Sequence, residues 1–263
     1  MTDNKIKEIW CRQLAWDYSC KPEDIKSRKP YLAKKAYHPN RRIFRGDDCF
    51  LKVLIVNGKL VVNADSEAFL QDNREFFEKA SADWFFEPGS LKELDKRLAP
   101  LGHTITDYHH FYLPRIEYVT IGAAQSVPIS KEEAVCRGEG SLHWYEKEEI
   151  ESFRGDSRFP EALCFTIESP DMLAVTWEEN GEILGMAGAS ADSEEMWQIG
   201  INVLPDGEHR GMGTFLVTNL KDEILRRGKV PFYGTAESHI RSQRVAVGSG
   251  FMPAWAELYT RRI

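Results

Sequence analysis

The chain has 263 residues, a formal net charge of −7, 42% hydrophobic and 29% charged residues. That composition suits one or two folded soluble domains, and the acidic balance argues against a nucleic-acid protein or one drawn to anionic membranes. Five cysteines (Cys11, Cys20, Cys49, Cys136 and Cys164) are scattered without a Cys-x-x-Cys pair, which disfavours a disulfide framework or a metal site and points to a reducing cytoplasm. Residues 1–5 are polar, unlike a signal peptide, and no stretch reaches the roughly 18–20 apolar residues that span a bilayer.

Taken in order, Ile6, Ile9, Trp10 and Leu14 recur at helical spacing, and a second helix is expected from Pro22-Glu23-Asp24. Residues 49–56 and 59–63 flank Asn57-Gly58, a strong hairpin signal. Phe69, Phe76, Phe77 and Ala80 predict one helix, and residues 83–86 a short strand. Ser90 is the expected N-cap of a further helix carrying Leu91, Leu94 and Leu98, which Gly102 ends. Residues 108–113 look extended, so His109 and His110 face opposite ways and make no metal site together. Residues 118–124 are apolar, a strand or a connection, and Pro128-Ile129-Ser130 opens a more polar segment. The expected domains are therefore 1–125 and 126–263.

In the second half, residues 146–163 read as helical with a break at 154–156, and Cys164 beside Leu163 and Phe165 reads as a core residue. Residues 172–177 and 183–189 form a hairpin across 178–181. Trp197, Ile199, Ile201 and Val203 then alternate with Gln198, Gly200 and Asn202, the two-residue period of a strand, which Pro205-Asp206-Gly207 ends. Leu216, Val217, Leu220 and Ile224 mark a helix that Gly228 stops. A strand at 231–235, a helix from Ser238 and a strand at 255–259 complete the chain. The class is α/β (mixed α+β), not a Rossmann array. Hairpin, helix, strand, helix and strand recur in both halves, so the smaller N-terminal α/β domain is either a degenerate duplicate or an unrelated domain. Residues 63–66 carry no glycine loop, so a duplicate would have lost the anion site described next.

Between strand and helix stands Glu208-His209-Arg210-Gly211-Met212-Gly213-Thr214. A helix that starts on glycines presents free backbone N–H groups and the positive end of its dipole, a site for phosphate. Val203-Leu204-Pro205, the two glycines of this loop and Gly250-Phe251 after the next helix together resemble the GNAT superfamily of acyl-CoA N-acyltransferases, in a bacterial subgroup with an extra N-terminal domain. Glu208 stands where that family has Gln or Arg, His239 where many members have Asn, and Ala246 where many have the tyrosine that protonates the leaving thiolate.

The resemblance covers about residues 134–263 and implies a GNAT-like fold with acetyl-CoA as co-substrate. Its pyrophosphate would lie on His209, Arg210, Gly211, Met212, Gly213 and Thr214. Its pantetheine arm would lie between the Ile201 and Phe232 strands on backbone groups of Ile201 and Val203, with His239 and Ser242 nearby. Glu208 should turn away or pair with Arg210. For deprotonation the candidates are Glu195, Glu194 and Glu237; for protonation, Tyr233 and Tyr259, although a thiolate can also leave unaided. His143-Trp144-Tyr145 would border the acceptor pocket. The implied activity is direct acetyl transfer to a primary amine of a small molecule or peptide, with no metal, nucleic-acid or membrane partner. A non-catalytic acyl-CoA-binding module and a plain phosphate-binding protein are the alternatives. The N-terminal domain would either wall the acceptor site or mediate a homodimer.

Overall fold

The computed structural model describes residues 1–43, 49–115 and 140–263. The first half runs α1 (Asp3–Asp17), α2 (Pro22–Lys26), β1 (Tyr31–Lys34), β2 (Leu51–Val56), β3 (Lys59–Ala64), α3 (Glu67–Asp72), α4 (Arg74–Lys79), α5 (Pro88–Leu98) and β4 (His103–Pro114). After residue 139 come β5 (Gly140–Glu146), α6 (Lys147–Ile150), β6 (Asp171–Glu179), β7 (Glu182–Ala191), β8 (Met196–Val203), α7 (Met212–Arg226), β9 (Val230–Ala236), α8 (Ile240–Gly248) and β10 (Phe251–Arg262). These elements divide into two compact units. We call Lys7–Phe111, Thr235–Ser238 and Pro253–Ile263 the hairpin unit, and Met1–Ile6, Tyr112–Gly234 and His239–Met252 the loop unit.

The hairpin unit is built on the expected Asn57-Gly58 turn. Both turn residues take positive φ (52° and 70°), the combination that closes a two-residue hairpin, and β2 and β3 pair antiparallel from Leu51–Ala64 to Val56–Lys59. β1 pairs parallel to β3, and β10 antiparallel to β2, with Tyr259 opposite Lys52. Through that pairing residues 253–263 join this unit, whereas the sequence reading put them with the second half. Leu51, Val53, Val62, Phe77, Phe85, Leu94 and Leu98 are buried in its core, each contributing about 1.5–3 kcal/mol by leaving water.

Several expectations for this unit need correction. The helix expected over Phe69 to Ala80 is two, broken at Asn73, whose side-chain amide donates to the Phe69 carbonyl at 2.8 Å. Residues 83–86 are not a strand: Ala82–Trp84 is a 3₁₀ turn. Pro88 itself opens α5, with Glu87 at the N-cap position, so Ser90 lies inside the helix. The parallel between the two halves therefore lacks the strand between its helices. Residues 118–124, 128–130 and the cut at 125 lie outside the described residues.

In the loop unit β5, β6, β7 and β8 form an antiparallel run, and β9 adds parallel to β8. The β6–β7 turn is Asn180-Gly181, again with both φ positive. β5, including His143, Trp144 and Tyr145, is a fourth antiparallel strand that sequence reading missed. The helix expected over 146–163 is confined to α6 and a 3₁₀ turn, Glu151–Phe153. One face of the sheet packs on α7 through Ile199, Met212, Leu216, Val217, Leu220 and Ile224. The other packs on Ile150, Phe153, Phe159, Ala162 and Leu163, which meet Ala174 and Met186. Cys164 is exposed, not core. The chain turns outward there with Phe165 at φ 51°, held because the Asp171 carboxylate accepts from the Cys164 and Phe165 N–H groups at 3.2 and 2.7 Å.

Candidate functional site

Strands β8 and β9 run together for only four rungs. Met196 lies beside Val230 and Ile199 beside Tyr233; beyond that rung no β8–β9 pairing continues among the described residues, although β8 goes on to Val203. On its other edge β8 stays paired with β7 up to Val203, opposite Gly185. Strand geometry turns alternate backbone groups of Gly200–Val203 toward the opened side. An extended ligand laid there would be held as an added strand is, by main-chain hydrogen bonds. Ile201 and Val203 both lie on this segment.

The gap leads to the glycine loop. Pro205–Gly207 makes a 3₁₀ turn, His209 takes φ 61°, and Gly211, at φ 75°, is the N-cap of α7. The left-handed φ at Gly211 lets the chain turn into the helix, so the N–H groups of Met212, Gly213 and Thr214 have no acceptor in the helix and point out of its positive end. A Cβ at Gly213 would lie 3.2 Å from Val245 Cγ2 and 3.5 Å from Val203 Cγ2, so glycine keeps helix, strand and α8 close together here. These donors, next to an open strand edge, suit an anionic group carried on an extended chain.

The loop's side chains behave differently from expectation. Arg210 does not pair with Glu208. Its guanidinium binds both oxygens of Glu179, one at 3.0 Å, and Glu179 also accepts from Trp177 Nε1 at 2.8 Å. Arg210 holds the Glu179 carboxyl below its usual range, as does the Trp177 bond, so the pair stays ionised. Arg210 thus pins the loop to the β6–β7 turn with its charge cancelled, and offers the ligand its backbone. Glu208 instead faces His209 Nε2 and Arg241 Nη1, each at 3.7 Å. His209 and Arg241 are almost fully exposed and flank the loop mouth.

On the last paired rung stands Tyr233, buried, with its hydroxyl 2.8 Å from that of Ser242 on α8. Burial pushes the Tyr233 hydroxyl up; the Ser242 bond opposes this, and the charge of Glu161 and then Tyr112 raises it further. Ala246, one turn after Ser242, is fully buried among Tyr233, Phe251 and the α7 core. His239 is the exposed N-cap residue of α8 and makes no capping bond with its side chain.

On the opposite face, residues 159–163 lie directly on the sheet. Gly188 and Gly200 are cross-strand partners. A Cβ at Gly200 would overlap the Glu161 carbonyl oxygen, and one at Gly188 the Ala162 carbonyl oxygen. Asn202 Oδ1 accepts from the Glu161 and Ala162 N–H groups, both at 2.9 Å, and fixes the segment in place. Sequence reading missed this cradle. Its signal was two glycines in mid-strand at matching register, the mark of a close backbone approach.

The remaining candidates lie elsewhere. Glu194 and Glu195 sit at the β7–β8 turn, where the Glu195 carbonyl accepts from Val230 N–H at 2.8 Å. That is the paired end of the strands, about 20 Å along the strand from Ile201 at roughly 3.3 Å per residue. Glu237 belongs to the hairpin unit and pairs with His110. Tyr259, in the same unit, is buried with its hydroxyl on Glu257. On β5, His143 Nε2 is 2.8 Å from Ser141 Oγ and 3.7 Å from Glu178 Oε2. Among the described residues no group of three or more His, Cys, Asp or Glu is arranged for a metal, and no helix is long and apolar enough to cross a membrane.

Residues 139–251 match the model of the acetyltransferase (GNAT) family. No curated relative matches the chain. Among solved structures it is similar to an acetyltransferase of the GNAT family from Colwellia psychrerythraea, with 12% identity, 78% of each chain covered and a TM-score of 0.42. It is also similar to a GCN5-related N-acetyltransferase-like protein from Streptococcus suis, with 13% identity, 66% of this chain and 68% of that one covered, and a TM-score of 0.44. A third is an aminoglycoside N-acetyltransferase in complex with CoA, with 21% identity, 46% and 93% covered, and a TM-score of 0.34. The stretch that matches this family model, residues 139–251, holds both the open strand edge and the glycine loop.

Proposed function

We propose that the chain transfers an acetyl group from acetyl-CoA to a primary amine of a small molecule or peptide, directly and within one ternary complex, in the cytoplasm. The observation that carries this reading is the β8–β9 gap opening beyond Ile199 and Tyr233 onto the loop at the start of α7. Acetyl-CoA, when bound, supplies the acyl group as a thioester. The N–H groups of Gly211 to Thr214 take its pyrophosphate, and the open edge of Gly200–Val203 holds its arm and donates an N–H to the thioester carbonyl. The amine nitrogen attacks that carbonyl carbon, the C–N bond forms, and the C–S bond breaks with its electron pair leaving on sulfur. Tyr233, held by Ser242, takes the role of proton donor to the departing sulfur, a role that Ala246 lacks the chemistry to fill.

A second reading, a non-catalytic acyl-CoA-binding module, is favoured by the same buried Ala246 and by a carboxylate, Glu208, on the loop. Calorimetry with acetyl-CoA, followed by CoA release across a panel of primary amines, separates the two. Transfer to any amine excludes the binding-only reading. No binding at millimolar acetyl-CoA overturns both.

A further inference from the structure

Whatever amine is acetylated, the acceptor must reach the thioester from the face of the sheet that α7 and α8 leave free, and it must give up a proton. Alternation along β8 places Ile199 on the α7 face and Gly200 on the other. Gly200 is the first residue past the last paired rung, so the gap begins beside it. Glu161 lies on that face. Its carbonyl rests against the Gly200 Cα, and the Asn202 carboxamide holds its N–H, so the position of this residue is built and not incidental. Its side chain is exposed, and no ion pair joins it to a cation among the described residues. On the other face, the charge of Glu161 adds to the burial that raises the Tyr233 hydroxyl.

We infer that Glu161 is the acceptor-side catalytic residue: its carboxylate receives the acceptor's ammonium group and takes the proton that must leave nitrogen before the amine can attack. The inference rests on the transferase reading above and names the acceptor class as a cationic amine. Protons balance across the sheet. The ammonium nitrogen loses two, the first to Glu161, which passes it to solvent, and the second to solvent as the C–S bond breaks and the amide forms, while the departing sulfur gains one from Tyr233, which solvent restores. Gly188, Gly200 and Asn202 are positioning residues that fix the height of Glu161 over the gap.

Glu161→Gln tests this with little risk to folding, because the backbone makes the cradle contacts and the side chain is exposed. The probes are 1,5-diaminopentane and Nα-acetyl-lysine, whose amines are protonated near neutral pH, and methoxyamine, which is neutral there. The expected result is an acetyl-CoA Kd within twofold of wild type, and kcat/KM for the two protonated probes down about 10²–10⁴-fold. For methoxyamine the loss is under tenfold, and Glu161→Asp restores part of the activity. Retention of more than a third of kcat/KM on the protonated probes, or equal loss on methoxyamine, overturns the inference and leaves the transferase reading standing. Wild-type protein that binds acetyl-CoA but acetylates none of the probes also overturns it. Failure of wild type to bind acetyl-CoA overturns the reading beneath it.

Discussion

The two units use charge in opposite ways. In the hairpin unit, Arg42 is buried between Asp17 Oδ2 and Glu257 Oε1, both at 2.6 Å, and lies over the Phe111 and Trp255 rings at 5.9 and 5.6 Å. Burial alone would lower its pKa, but Asp17 and Glu257 hold it well above the ordinary value. Glu257 also accepts from Trp255 Nε1 at 3.0 Å and from the Tyr259 hydroxyl. In the loop unit the site's charges stand at the rim, and its interior is made of glycines, backbone groups and one tyrosine. The difference teaches what each arrangement is for. Buried charge with every partner in place fixes one packing and leaves nothing for a ligand, whereas unpaired backbone donors and a rim of exposed charge leave ligand binding open.

The harshest way to break that comparison is Arg42→Met. It strands two buried carboxylates, and loss of one partner from such a cluster costs about 3–5 kcal/mol. Urea unfolding should show a drop of that size, and the triple change Arg42→Met, Asp17→Asn, Glu257→Gln should recover part of it. A drop below about 1 kcal/mol would mean that the cluster is as loosely coupled as a surface pair.

Gly200→Ala comes next. The new methyl group meets the Glu161 carbonyl, a backbone atom that cannot step aside alone, and overpacking of this kind costs about 1–3 kcal/mol. It should also lower amine acetylation more than acetyl-CoA affinity, because the segment it displaces lies on the face proposed to receive the acceptor. Tyr233→Phe should lower kcat about 10- to 100-fold with acetyl-CoA affinity nearly unchanged, and should cost about 1 kcal/mol of stability by leaving the Ser242 hydroxyl without its partner. An unchanged kcat would show that the thiolate leaves unaided, and Tyr233 would then be packing only.

What could be read from sequence was local or periodic. Asn57-Gly58, Asn180-Gly181, the alternation from Trp197 to Val203 and the glycines at 211 and 213 each carry their conformational reason in their own residue types, and the structure agrees. What could not be read depended on partners far along the chain. Arg210 finds Glu179, 31 positions away, instead of its neighbour Glu208, because the β6–β7 turn lies alongside the loop only once the sheet has formed. Glu161 was hidden for the same reason: nothing in Phe159-Pro160-Glu161-Ala162 announces a site until Asn202, about 40 residues on, captures its N–H. Glu194 and Glu195 drew attention by standing beside the strand, yet strand direction puts them at its paired end.

The mildest change bears on the rim itself. Glu208 puts a carboxylate at the first position of the loop proposed to take the pyrophosphate, 3.7 Å from Arg241 Nη1, on side chains that are 42% and 85% exposed. If rim charge only trims affinity, Glu208→Gln removes a repulsion toward pyrophosphate and frees Arg241 to face it. At such exposure the gain is small, about two- to fivefold in acetyl-CoA Kd at low salt, in keeping with the 0.2–1 kcal/mol typical of exposed charge pairs. The gain should fade as the screening length drops from about 10 Å at 0.1 M salt to about 3 Å at 1 M. Weaker binding of acetyl-CoA by Glu208→Gln would reverse the sign. Glu208 would then be holding Arg241 in a productive place, and the rim would be built in the manner of the Arg42 cluster, with its charges paired to fix a position.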